Sequence, residues 1–117
     1  MFDWRRLMNL VNRDCYRAAL SGVKDLIHRF DWDGVNLGEL YFESLEGAAN
    51  SSRFTPMNEE VREEFQKLAG VDPAELFRGS PDTARLQRFL EYRSRLAGRM
   101  QEEWLTELEA CRRERQY

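Results

Sequence analysis

The residues best suited to chemistry in this chain lie in one short segment, from Val35 to Glu43. Glu39 stands there among Leu37, Leu40 and Tyr41, and a carboxylate in apolar surroundings loses solvation, which favours the protonated form a general acid needs. Its plainer reading is a carboxylate at a frayed strand end, solvated or paired with an arginine. Arg93 is a candidate for such a pairing, with Glu39 or Glu43, because it interrupts an otherwise apolar helical stripe. The commoner arrangement for such an arginine is to lay its stem on apolar surface and keep its head in water. Trp4, Trp32 and Trp104 carry flat apolar rings, although Trp104 falls on a helical stripe and reads as core. His28 lies on the polar side of its helix with no nucleophile motif beside it, and reads as a surface histidine.

Much other chemistry is excluded. The sequence has no Gly-rich phosphate loop, G-x-S-x-G elbow, H-E-x-x-H helix or calcium loop, so nucleotide, serine-hydrolase, zincin and EF-hand readings lack their minimal residues. Cys15 and Cys111 sit near opposite ends and read as separate thiols, and with the single His28 they cannot supply the four ligands of structural zinc. Neither a metal nor a cofactor is expected. The 117 residues are 33% charged and 42% hydrophobic with a net charge of -3, which fits a soluble single domain. The basic clusters Arg5-Arg6 and Arg112-Arg113 are too short to suggest nucleic acid. No apolar run approaches the ~20 residues of a membrane span. The segment MFDWRRLMNL is charged too early for a signal peptide, so the sequence as written predicts a cytoplasmic setting.

The elements that must position Glu39 follow from periodicity. Cys15, Ala19, Val23, Leu26, Ile27 and Phe30 recur at helical spacing and predict a helix over 13–30, with Asn12 as its cap. Asp31-Trp32-Asp33-Gly34 reads as a turn, and the β-branched and aromatic residues after it predict a strand over 34–42. Val35, Leu37 and Tyr41 would line one face and Leu40 and Phe42 the other, the pattern of a strand covered on both sides. Glu43 to Pro56 reads as a long loop in which Glu43 and Glu46 face solvent. A helix over 58–69 has Asn58 as cap, Val61, Phe65 and Leu68 as its stripe and Gly70 as its stop. Asp72-Pro73 starts a short helical turn over 73–78. Ser80-Pro81 opens a last helix over 81–112, with Leu86, Leu90, Ala97, Met100, Trp104, Leu108 and Cys111 along its stripe. At roughly thirty residues it would reach about 45 Å, against about 35 Å for a compact domain of this size, so it overhangs unless it bends at Gly98.

The string Asp31-Trp32-Asp33-Gly34 through Glu43, followed by Arg53-Phe54-Thr55-Pro56-Met57-Asn58 and by Phe89-Leu90-Glu91-Tyr92-Arg93, resembles bacterial (β/α)8-barrel proteins of the glycoside hydrolase-like kind. The resemblance runs from Val11 to Leu108. It implies an α/β origin and a partial barrel forming one incomplete domain over 1–117, predominantly helical as an isolated chain. It implies that Glu39 is the acid/base of a carbohydrate-cleaving site, and that Trp32, Asn36, Tyr41 and Glu43 contact sugar. Gly38 stands where many such barrels carry asparagine ahead of the carboxylate. For Asn36, Tyr41 and Glu43 the alternative is packing or pairing along the strand. Two carboxylates about 5–5.5 Å apart make a retaining site, and one positioned carboxylate makes neither a retaining nor an inverting one. The resemblance therefore implies a fragment inactive alone, with carbohydrate or the remainder of the barrel as partner. A rival reading is a small helical interaction protein whose long last helix pairs with a partner or with itself through Met100, Trp104 and Leu108.

Overall fold

In the computed structural model the described residues are 8–38, 41–42, 54–79 and 82–115. They form α1 (Arg13–Arg29), α2 (Glu59–Ala69), a 3-10 helix (Pro73–Phe77) and α3 (Thr83–Arg115). Local chemistry sets the ends of these elements. Asn12 Oδ1 accepts from the backbone N–H of Asp14 and of Cys15, both at 3.1 Å, satisfying two donors that have no partner inside α1. Gly70 ends α2 in the left-handed region at φ 73°, where its N–H reaches Gln66 O at 2.8 Å. Asp82 caps α3 through Ala84 N–H and Arg85 N–H, whereas Ser80-Pro81, expected to open this helix, lie outside the described residues. Asn58 precedes α2 without capping it by its side chain, whose Nδ2 donates to Glu60 Oε2 at 2.9 Å.

The expected partial (β/α)8 barrel is not formed. Within 34–42 the described residues, 34–38 and 41–42, contain no strand, and no sheet exists among the described residues. The physical reason is pairing, since a strand's backbone donors and acceptors need a neighbouring strand and the described chain supplies none. The helical part of the expectation does match the structure, with the last helix running unbroken through Gly98 for 33 residues.

The chain groups into two compact units, one of Met1–Arg6 with Tyr41–Ala97 and the other of Leu7–Leu40 with Gly98–Tyr117. The first half of α3 thus belongs to one unit and the second half to the other.

The first unit is organised by rings. Phe89 is fully buried, with its centroid 5.1 Å from Phe65 and 5.9 Å from Phe54, and Tyr92 stacks on it at 6.2 Å. Val61, Leu76, Leu96 and Pro73 complete this core. Tyr92 donates its hydroxyl to Glu64 Oε2 at 2.7 Å, so the polar tip of a buried ring is satisfied. Phe89 and Tyr92, quoted above as part of a family-like string, serve here as core. Leu68, read as part of the α2 stripe, is exposed.

Asp72 does two jobs in the same unit. Its carboxylate caps the 3-10 helix by accepting from Ala74 N–H at 2.9 Å, and it receives Arg62 Nε and Nη2 at 3.1 and 2.6 Å. The Arg62 hydrogen bonds hold its pKa below the ordinary value of 3.8. A lowered folded-state pKa stabilises the fold fully above the unfolded value and ceases to do so as pH falls through the lower folded one. Asp72→Asn is therefore expected to destabilise modestly near neutral pH, with the gap from the parent closing below 3.8. Urea melts at the two pH values check this, and a gap of equal size in acid would show that the carboxylate's charge is not what matters.

Candidate interaction surface

The second unit is built by α1 lying against the second half of α3. The contacts advance in the same direction along both helices: Arg13 meets Glu103 at 2.7 Å, Lys24 meets Glu107 at 2.8 Å, and His28 Nε2 lies 3.2 Å from Glu114. These pairs are largely exposed and set alignment more than stability. Behind them Tyr16, Leu20 and Trp104 form a buried cluster, with Tyr16 and Trp104 edge to face at 5.4 Å and Leu37 packed on top. Burial, with Glu103 and Glu107 nearby, raises the Tyr16 pKa and keeps the phenol neutral. The Trp104 indole N–H is buried with no hydrogen-bond partner.

This packing corrects the predicted stripe of α1. Ile27 faces the core and Ala19 and Val23 pack against it as that stripe requires, but Tyr16 and Leu20 join them, whereas Leu26 and Phe30 are about half exposed. A helix with apolar residues around much of its girth has more than one face to bury, and here the acidic row of α3 draws the Arg13, Lys24 and His28 edge to itself. The face beside that edge, with Tyr16 and Leu20, goes inward. The opposite flank, with Leu26 and Phe30, is left outward.

In the same unit the segment 33–37, Ile27 of α1 and the second half of α3 border a groove of about 440 Å³, lined among others by Val35, Asn36, Leu37, Leu105 and Leu108. Val35 is 51% exposed and Leu105 57%. Trp32 donates Nε1–H to Leu26 O at 3.0 Å, satisfying a carbonyl at the end of α1, and its ring meets Phe30 edge on at 5.5 Å. A residue singled out for sugar stacking is thus first of all a cap. No sequence signal marked it as one, because the bond spans six residues and depends on how the chain leaves the helix.

The residues proposed for carbohydrate chemistry are not brought together. Glu39 and Glu43 lie outside the described residues, as does Trp4. Asn36 and Trp32 are exposed in the second unit, and Tyr41, 65% exposed, belongs to the first. Arg93, in the first unit, turns inward instead of snorkelling: its guanidinium lies 4.7 Å over the Phe54 ring and donates to Phe42 O. Burial lowers its pKa. Met100 and Leu108, named with Trp104 as a contact face, are half-buried, and Trp104 itself is core. The outward residue on that part of α3 is Leu105.

No helix among the described residues is long and apolar enough to cross a membrane. Geometrically, the second unit defines a helical pair with an apolar, solvent-open groove. The chain matches no protein-family model, no curated protein and no solved structure.

Proposed function

We propose that this chain is a small helical association protein that works through the apolar flank of its second unit. The observation that carries the reading is the groove between 33–37 and α3, bordered by exposed Val35 and Leu105 with exposed Leu26, Phe30 and Trp32 in the same unit. Apolar side chains gathered around a concavity mark a docking surface more often than scattered ones do. Light scattering across concentration tests the proposal. The mass is expected to rise above that of one chain, and an apolar-surface dye is expected to lose fluorescence as association covers the groove. A single-chain mass at every concentration, with no dye binding, would contradict the proposal.

A carbohydrate-directed reading is supported by the family-like string at 31–43 and by the exposure of Trp32 and Asn36, which leaves both side chains accessible to a ligand. On that reading Glu39 is the acid/base, and a lone positioned carboxylate gives no turnover. The isolated chain is expected to leave a panel of aryl glycosides unhydrolysed. Hydrolysis above buffer that disappears in Glu39→Gln would contradict the expectation of an inactive chain and show that it carries a complete catalytic pair.

A further inference from the structure

In the second unit Gly34–Gly38 is irregular chain without helix, turn or bend, bordering the groove with Ile27 and α3, and it makes no hydrogen bond, main-chain or side-chain, among the described residues. Unpaired backbone of this kind, rich in strand-forming residues and open to solvent, is a template for another chain. The pattern of the five residues indicates which chain. Gly34-Val35-Asn36-Leu37-Gly38 has the same chemistry read in either direction: glycine, branched aliphatic, asparagine, branched aliphatic, glycine.

We infer that two copies of the chain pair antiparallel through Gly34–Gly38, centred on Asn36. The inference deepens the association reading and rests on it. About that centre, Val35 of each copy faces Leu37 of the other, Asn36 faces Asn36, and the glycines face one another. Val35, Asn36 and Leu37 already line the groove with Leu105 and Leu108, so in the pairing each Val35–Leu37 pair adds apolar surface beside that groove. The two Asn36 amides, each with donors and an acceptor, satisfy each other across the centre. A slip by one residue would set Val35 against Asn36 and turn the aliphatic side chains to the wrong face, so the register is specified. Neither Gly34 nor Gly38 has an atom within 4 Å of the position a Cβ would take, which leaves both ends open to close approach. The next pair outward would oppose Asp33 and Glu39, two acids, and like charges stop the pairing at five residues. Nothing in this arrangement makes the segment a strand of the single chain; the pairing belongs to the assembly alone.

Cross-linking tests the register. In antiparallel pairing the central residues lie about 4.5–5.5 Å apart at Cα, within disulfide reach, whereas Val35 and its equivalent are diagonal at about 7–8 Å or more. Under mild oxidation Asn36→Cys is expected to form a covalent dimer at least ten times faster than Val35→Cys, the parent with Cys15 and Cys111 serving as background. Hydrogen exchange on the unmodified protein supplies a second measurement: amides of 34–38 are expected to slow at alternate positions as concentration rises, because only every other N–H faces the second copy. If the protein associates but the two cysteine variants cross-link equally, or 34–38 stay unprotected, the inference is overturned and the association reading stands. A chain that stays single at every concentration overturns both.

Discussion

Phe89→Ala is expected to cost about 4 kcal/mol of folding stability, the range found when a fully buried phenylalanine is cut to alanine and its neighbours cannot close the cavity. Phe89 has no exposed surface and is surrounded by Phe54, Phe65 and Tyr92, three rings held by separate segments. Planar side chains fixed on α2, α3 and the 54–56 segment cannot all move into one vacancy, so little of the loss is recovered. Since whole domains are stable by only about 5–15 kcal/mol, the substitution should leave the first unit close to unfolding. Leu68→Ala, on an exposed side chain of the same unit, is expected to change stability by less than about 0.5 kcal/mol. Denaturant melts of the two variants decide the matter, and equal small effects would mean that the ring cluster is not the core of this unit.

Trp104 is expected to separate size from polarity in the second unit. Trp104→Ala removes the ring that packs on Tyr16 and Leu20 and should cost about 4 kcal/mol. Trp104→Phe keeps much of that apolar contact and deletes an indole N–H that has no hydrogen-bond partner. Burying an unsatisfied donor costs about 1–3 kcal/mol, so its removal offsets the smaller ring, and Trp104→Phe should stay within about 1 kcal/mol of the parent. Thermal and urea melts compare the two. A Trp104→Phe variant as unstable as Trp104→Ala would show that the N–H has a partner in solution or that the ring's full volume is indispensable.

The parts of this fold that can be read from sequence are those decided within a few residues. Asn12 before α1, Gly70 after α2 and Asp72-Pro73 at the 3-10 helix act on backbone groups of their immediate neighbours, and each does in the structure what its local chemistry requires. The span 34–42 shows the opposite case. Val35, Leu37, Leu40, Tyr41 and Phe42 have strand-forming side chains, but a strand exists only with a partner, and partners are a property of the whole assembly. The facing of α1 was ambiguous for a related reason. Cys15, Ala19, Val23, Leu26, Ile27 and Phe30 make a plausible stripe, and a face shifted toward Tyr16 and Leu20 makes another that shares Ile27; the choice is made by Glu103, Glu107 and Trp104, about ninety residues on. Arg93 was legible as an anomaly in an apolar stripe but not in its outcome, because the Phe42 carbonyl and the Phe54 ring that receive it come from distant segments. Of the candidate site, the sequence marked residues on both walls, Trp32 to Leu37 on one and Leu108 on the other, while Leu105 of α3 became visible only with the helices packed.

Association is expected to use the groove of the second unit and not exposed apolar residues in general. Sedimentation velocity on Leu105→Glu and Leu68→Glu, alongside the parent, tests it directly. Both leucines are more than half exposed on helices, one beside the groove and one on α2 of the first unit, so each substitution places a charge in water at little cost to folding. In an assembly that covers the groove, however, a carboxylate at position 105 must be desolvated. Leu105→Glu is expected to raise the dissociation constant at least tenfold while Leu68→Glu leaves it within about twofold of the parent. Equal weakening by the two substitutions, or a parent that sediments as a single chain at every concentration, would contradict it.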